Sequence, residues 1–258
     1  MVNKALHLRI VVFLSLLWFI KPINAAEPLT LAVASNFNLA MQHLVTEYEA
    51  MHKTPLQVSF ASSGKLYAQI VNGAPFDIFL SADQTKPQAL IDRQLAVASS
   101  RFTYAYGSLA LWSAKPELVD SQGQVLHRNT FNKLALANPK LAPYGVAALE
   151  VLAQLGLLSA TQQRWVQGEN ISQTYQFVAS QNADLGFVAL SQIMYKGQLS
   201  SGSAWIVPTT LYAPIKQDAV ILNRSAHKAN ASEFMAFMQS SKALAILQNF
   251  GYQQRGEK

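Results

Sequence analysis

The first hundred residues alternate between short apolar runs and segments in which apolar residues recur at helical spacing. Alternation of this kind is typical of βαβ units, in which parallel strands are joined by helices. Three units are predicted in this part of the chain. Each pairs a strand with a helix: 29–34 with 37–48, 56–60 with 66–73, and 78–80 with 84–93. Ligands of such folds bind beyond the carboxyl ends of the strands, so the turns that follow these strands are candidate binding elements.

Two extended apolar runs predict that the chain crosses between two lobes. The run 102–112 leaves the first lobe, and the run 212–222 returns to it. The predicted lobes are 26–106 plus 213–258, and 107–212. Within the second lobe the sequence predicts strands at 134–137 and 185–190, and a short helix that holds Trp165 and Val166. The fold class is therefore α/β, with two lobes that each contain a mainly parallel sheet flanked by helices, and a ligand cleft between them.

The first 25 residues have the order of a secretory signal. Lys4 and Arg9 precede the apolar run 10–20, and small residues follow it, so we expect cleavage near Ala25 or Ala26 and export of the mature chain. Cleavage would leave about 230 residues, enough for one large domain or two lobes. The leader's basic residues, including Lys21, carry half of the formal net charge of +6. We expect no nucleic acid partner, because the rest of the chain contains no basic run interleaved with aromatic residues.

Four polar turns stand at predicted helix starts. They are Ser35-Asn36, Ser62-Ser63-Gly64, Pro143-Tyr144-Gly145 and Ile171-Ser172. The first turn of a helix leaves backbone N–H groups without intrahelical partners, and the helix dipole favours an anion there. Taken singly, such a turn favours a plain helix cap, as at Ser62 or Ser63. Two turns from each lobe would face each other across one cleft, which favours an anion site.

Several longer stretches carry a resemblance to a known family. They are Ala34-Ser35-Asn36-Phe37, Phe60-Ala61-Ser62-Ser63-Gly64, the segment from Asn72 to Asp83, Ala142-Pro143-Tyr144-Gly145 and the segment from Ala183 to Leu190. In this order they resemble the periplasmic molybdate-binding proteins of ABC transporters. The resemblance implies the two-lobed type II periplasmic binding fold. It also implies a receptor that holds molybdate or tungstate and delivers it to a membrane permease.

The resemblance also implies which residues hold the anion. The ligand-holding serines match Ser35 and Ser63, the donor of the Pro-x-Gly turn matches Tyr144, and the backbone N–H before the next helix matches Ile171. A tyrosine that donates in part of the family is replaced here by Ala189. We therefore expect either the Tyr144 phenol or Asn36 to supply the missing donor; whether Tyr144 donates through its phenol or its backbone is left open.

The charges near the turns narrow the class of anion. Lys65 is the one nearby cation, and we expect it to point into solvent; Glu169 is the one nearby carboxylate. A pocket of donors alone cannot accept the proton that hydrogen phosphate carries, so it favours fully deprotonated oxyanions. Sulfate remains an alternative on this argument, and the choice of molybdate rests on the resemblance.

An enzyme is the competing interpretation. Ser62 and Lys65 fit the S-x-x-K pattern of serine acyl-transfer enzymes, but the companion elements S-D-N and K-T-G do not occur. The histidines are scattered rather than at metal-ligand spacing, and there is no cysteine. Asp77 and Asp83, at the two ends of a strand, are expected to be caps or structural partners. We expect a monomeric binding protein with no catalytic residue, no bound metal cation and no cofactor besides its oxyanion ligand.

Overall fold

Two five-stranded sheets form the framework of the protein. A computed structural model describes residues 27–253; the predicted leader and its cleavage site lie outside this part. The strands are β1 (Leu29–Ala34), β2 (Leu56–Ala61), β3 (Ile78–Leu80), β4 (Phe102–Gly107), β5 (Leu109–Ser113), β6 (Leu134–Ala137), β7 (Trp165–Gly168), β8 (Leu185–Ala189), β9 (Met194–Tyr195), β10 (Gln198–Leu199), β11 (Ser203–Ile206) and β12 (Ile215–Ile221). The helices are α1 (Asn38–Met51), α2 (Ser63–Val71), α3 (Thr85–Asp92), α4 (Val125–Arg128), α5 (Pro143–Gln154), α6 (Leu158–Thr161), α7 (Ile171–Ala179), α8 (Lys228–Phe237) and α9 (Ser241–Asn249).

The first sheet has the strand order β2-β1-β3-β12-β4. The three N-terminal strands pair in parallel, whereas β12 runs antiparallel to both β3 and β4. Helices cover both faces: α1, α8 and α9 pack on one core, and α2 and α3 pack on the other. Strands buried on both faces explain why 29–34 and 78–80 read as continuous apolar runs.

The second sheet has the strand order β11-β5-β8-β6-β7. Its strands β8, β6 and β7 pair in parallel, and β5 and β11 are antiparallel additions. Helix α5 lies over one face of this sheet and α7 over the other. The fold is thus the two-sheet α/β architecture that the sequence predicted. Each sheet is mixed, because one strand in each, β12 in the first and β5 in the second, runs against the βαβ strands.

The long run 102–112 divides into two strands in different sheets. It breaks at Ser108, with β4 in the first sheet and β5 in the second, and β12 returns the chain to the first sheet. This is the crossing that the sequence predicted. The predicted outer limits of the lobes, at residues 26, 106, 213 and 258, stay a prediction.

The predicted short helix around Trp165 and Val166 is wrong. These residues begin strand β7, which pairs in parallel with β6, and the helical turns end just before, at Arg164. Aromatic and β-branched side chains favour a strand when an open sheet edge is available. The sequence interpretation also missed β9, β10 and β11, because two-residue strands and a four-residue edge strand leave little periodicity to detect.

Within residues 27–253 no single helix is long and apolar enough to cross a membrane; one bent pair, Pro143–Gln154 with Leu158–Arg164, meets the length and composition test jointly.

Candidate functional site

The four polar turns meet around one small cavity between the two sheets. Each turn begins a helix: a 3-10 turn at Ser35–Phe37 leads into α1, and the other three open α2, α5 and α7. The cavity is lined by Ala34, Ser35, Asn36, Ser62, Ser63, Ala82, Ala142, Pro143, Tyr144 and Ile171. All five residues predicted to bind the ligand are therefore brought together. Their role in binding stays a prediction.

The cavity is buried and uncharged. Ser63 and Tyr144 each keep 1% of their surface exposed, and Ser35 keeps 4%. The cavity volume is about 10 Å³, which is roughly the space that one water molecule needs. Of the described residues that line the cavity, none carries a formal charge. A charged ligand in this cavity would therefore have to be stabilised by helix dipoles and hydrogen bonds.

Unpaired backbone N–H groups stand at the four helix starts. Within residues 27–253, the N–H groups of Asn36, Ser63, Tyr144 and Ile171 make no hydrogen bond to the protein, as expected for first helical turns. The capping alternative holds for Ser62 but not for Ser63, because the Ser62 hydroxyl accepts from the Lys65 N–H. Four residues that line the cavity therefore each have a backbone N–H group that is free to donate to a ligand.

Three hydroxyl groups add to these donors. Ser35 Oγ makes no hydrogen bond within the described residues, and Ser63 Oγ accepts from Ala82 N at 2.9 Å, so its hydrogen remains available. The Tyr144 hydroxyl accepts from Gln217 Nε2 at 3.3 Å. Burial raises the pKa of Tyr144 well above its ordinary value, so the phenol stays protonated at neutral pH. The lining therefore offers hydrogen-bond donors and suits an anion that carries no proton.

Contacts between the two halves of the molecule surround the cavity. Gly64 N donates to Leu141 O at 2.9 Å, and Ser172 Oγ donates to Ser35 O at 3.0 Å. Space is tight at the first contact, since a Cβ on Gly64 would lie 3.0 Å from the backbone of Leu141. A tetrahedral anion is larger than one water molecule, so the two halves would have to move apart slightly to hold it between them.

Sequence and structure comparisons agree on the family. The family model described as "Bacterial extracellular solute-binding protein" matches residues 29–253. The chain belongs to this family of solute-binding proteins. It is 48% identical to the molybdate-binding protein ModA of Azotobacter vinelandii over 89% of this chain and 90% of that protein. It is 42% identical to ModA of Rhodobacter capsulatus, over 88% and 89% of the two chains.

Solved structures give the same result for the fold. The structure of the Azotobacter vinelandii periplasmic molybdate-binding protein is similar to this solute-binding protein with a TM-score of 0.86 and 44% identity, over 88% of this chain and 99% of that one. The expected type II periplasmic binding fold is thereby confirmed.

Lys65 lies outside the cavity of this solute-binding protein, as the sequence predicted. Its side chain is 53% exposed, and its Nζ lies 3.7 Å from Glu169 Oε2 in the opposite half. The Ser62 hydroxyl donates to the other oxygen of Glu169 at 2.9 Å. The lysine is thus paired with a carboxylate rather than placed as a base beside a serine, and the acyl-transfer interpretation gains no support.

Other predicted acidic residues have structural partners. Asp77 accepts hydrogen bonds from Thr30 N and from the hydroxyls of Thr30 and Ser225, and Asp83 accepts from Lys86 N at the start of α3. Among residues 27–253 no group of three or more His, Asp or Glu side chains is arranged to hold a metal ion.

A buried hydrogen-bond network behind the cavity was missed by the sequence interpretation. Asn36 Nδ2 donates to Gln217 Oε1 at 2.9 Å and to the Tyr252 hydroxyl at 3.0 Å, so its side-chain amide is engaged there. The backbone N–H remains as the donor that Asn36 can offer to a ligand. Ala189 does not line the cavity, and among the described lining residues Tyr144 is the tyrosine. No local sequence signal marks Gln217, since it lies 181 residues from Asn36.

Proposed function

We propose that this chain is a periplasmic receptor that binds molybdate, or tungstate, and delivers it to an ABC-type membrane permease. The observation that carries the proposal is the buried cavity whose lining offers donors from four helix starts and three hydroxyls, with no charged side chain in the lining. The names of the relatives support molybdate as the particular anion.

The charge of the anion can be met without a cationic side chain. The start of a helix carries about half an elementary charge, so four of them provide about +2 before screening. This summed partial charge balances the two negative charges of a tetrahedral dianion. Neutral N–H and O–H donors on fixed backbone also hold the anion oxygens at set distances, which a mobile lysine would not do.

Several finer features belong to the same proposal. We propose export through a leader cleaved near Ala25 or Ala26, function as a monomer, a permease as the membrane partner and no cofactor besides the transported anion. The helix-lined cavity supports binding and transport rather than catalysis, because its described lining contains no activated nucleophile and no charged acid or base.

A thermal-shift panel of molybdate, tungstate, sulfate and phosphate tests the proposal. Ligand at 100 times its Kd stabilises the folded state by about 2.7 kcal/mol, which corresponds to a rise in Tm of about 5–10 °C for a chain of this size. We expect this rise with molybdate and tungstate, and none with phosphate. A rise with sulfate alone would favour the sulfate receptor instead, and an equal rise with phosphate would refute the donor-only site.

A further inference from the structure

Gln217 is a fully buried amide behind the cavity, on strand β12 where the chain returns to the first sheet. Its Oε1 accepts from Asn36 Nδ2 at 2.9 Å and from the Tyr104 hydroxyl at 3.0 Å, and its Nε2 donates to the Tyr144 hydroxyl at 3.3 Å. One amide thus joins a cavity residue of the first half, Asn36, to a cavity residue of the second half, Tyr144.

The neighbours on each side of this amide show which way it faces. Asn36 Nδ2 and the Tyr104 hydroxyl lie on its carbonyl side, and the Tyr104 hydroxyl also lies 3.1 Å from Ser81 O; the Asn36 amide nitrogen also donates to the Tyr252 hydroxyl at 3.0 Å. In this arrangement the nitrogen of Gln217 faces Tyr144. An N–H that donates to the phenol oxygen occupies one of its lone pairs and leaves the phenol hydrogen for another acceptor.

Within residues 27–253 the Tyr144 hydroxyl hydrogen has no acceptor in the protein, and Tyr144 lines the cavity. A buried hydroxyl without an acceptor is costly, whereas an anion in the cavity would supply one. The orientation of Gln217 thus makes the phenol a donor toward the cavity. If the amide were reversed, the phenol would donate to Gln217 Oε1 and present a lone pair to the cavity.

The surrounding backbone is shaped for this contact. The β4–β12 register shifts between Gln217 and Asp218, and such bulges next to binding sites redirect side chains. Gly107, on β4 opposite Ile215, allows the close approach: a Cβ there would overlap the Tyr144 hydroxyl and lie 2.6 Å from Gln217 Nε2.

We propose that Gln217 is a specificity-determining positioning residue, which directs the Tyr144 hydroxyl hydrogen into the cavity and so selects anions that carry no proton. This inference rests on the proposed anion receptor function. Gln217 acts through Tyr144 and makes no contact with the anion itself.

A double-variant cycle measured by calorimetry with molybdate tests the inference. We expect Gln217→Met, which removes the amide at similar volume, to weaken binding about tenfold, the loss expected when one donor to a charged group is no longer held in place. In a Tyr144→Phe background the same substitution should weaken binding less than about twofold, because the hydrogen it directs is gone. Tyr104→Phe is the matched control. It removes the contacts of this hydroxyl with Gln217 Oε1 and Ser81 O, on the side away from the cavity, while Asn36 Nδ2 still donates to Oε1. It should therefore lower Tm without a comparable loss of affinity.

A second variant keeps the inference testable if Gln217→Met does not fold. When it is ionised, the carboxylate of Gln217→Glu accepts hydrogen bonds only, so the phenol hydrogen should turn toward it and away from the anion; because burial raises the pKa of this carboxyl, the variant is measured over a range of pH. We expect the ratio of molybdate to phosphate affinity to fall at least about tenfold. The inference would be overturned if Gln217→Met and Tyr144→Phe weakened molybdate binding independently, so that their fold-changes multiply in the double variant. It would also be overturned if Gln217→Glu left the ratio of molybdate to phosphate affinity unchanged. A wild-type protein that binds no oxyanion would overturn the proposed function as well, so the two failures are distinguishable.

Discussion

Ser35→Ala separates the anion-binding role of a hydroxyl from any structural role. Ser35 is buried, yet its Oγ makes no hydrogen bond within the described residues. Ser63 differs, since its Oγ accepts from Ala82 N at 2.9 Å and therefore also satisfies a buried backbone donor. The two serines line the same cavity, so the pair allows the effect on binding to be compared with the effect on folding.

The expected magnitudes follow from these partners. A hydrogen bond to a charged group contributes about 1.5–3 kcal/mol, so either substitution should weaken molybdate binding about 10- to 150-fold. Ser35→Ala breaks no bond in the protein, and its free energy of unfolding without ligand should change by less than about 0.5 kcal/mol. Ser63→Ala leaves the Ala82 N–H unsatisfied and should lower the free energy of unfolding by about 1–3 kcal/mol.

Isothermal calorimetry gives the affinities, and urea denaturation of the ligand-free proteins gives the free energies of unfolding. If Ser35→Ala bound molybdate as tightly as the wild type, the Ser35 hydroxyl would make no hydrogen bond to the anion, and its assignment to the site would be refuted. Equal stability losses for the two variants would contradict the distinction drawn from the Ala82 contact.

Four further outcomes are expected. Ile171→Pro removes one cavity N–H at a helix position where proline is tolerated, so it should weaken binding about 10-fold or more by calorimetry, whereas Ile171→Val should not. Gly64→Ala places a Cβ 3.0 Å from the Leu141 backbone, so it should weaken binding and enlarge the radius of gyration of the liganded protein in solution scattering. Lys65→Met should change the binding free energy by less than about 1 kcal/mol, because the lysine is exposed and paired outside the cavity; a larger loss would show that the cation holds the anion. Burial raises the pKa of Tyr144, so the folded state keeps a proton that the unfolded chain loses near pH 10. The contribution of Tyr144 to the free energy of unfolding should therefore be level below pH 10 and fall above it, by up to about 1.4 kcal/mol per pH unit, so the fall above pH 10 should be less steep in Tyr144→Phe.

The parts of the fold that could be predicted are those whose signal is local. The strands 29–34 and 78–80 and the helix that begins near Phe37 were confirmed, because burial on one face or both leaves a periodic pattern in the sequence. Trp165 and Val166 were assigned to the wrong element because their strand depends on pairing with β6, which is distant in sequence. Strand order and direction depend on such pairings throughout.

The same distinction applies to the site. Each polar turn could be found from residues next to one another, and the resemblance ordered the turns into one site. The network behind them joins Asn36, Tyr144, Gln217 and Tyr252, whose separations along the chain reach 216 residues. No spacing rule connects residues so far apart, so a structure was needed to find the amide that orients the phenol.

The proposed rejection of phosphate depends on where the acceptors near the cavity are engaged. Hydrogen phosphate needs one acceptor for its proton, and Glu169 is the carboxylate closest in sequence to the polar turns. That carboxylate does not line the cavity: one oxygen accepts from Ser62 Oγ at 2.9 Å, and the other accepts from Asn170 Nδ2 at 3.2 Å and lies 3.7 Å from Lys65 Nζ. The contacts with Ser62 and Lys65 thus join the two halves and hold this carboxylate outside the cavity lining. Under the proposed function, the contacts of Glu169 would add to the selectivity that the Tyr144 hydroxyl provides. Ser62→Ala, which removes one donor to Glu169, should then raise the affinity for phosphate relative to molybdate in competition calorimetry; an unchanged ratio would contradict this link.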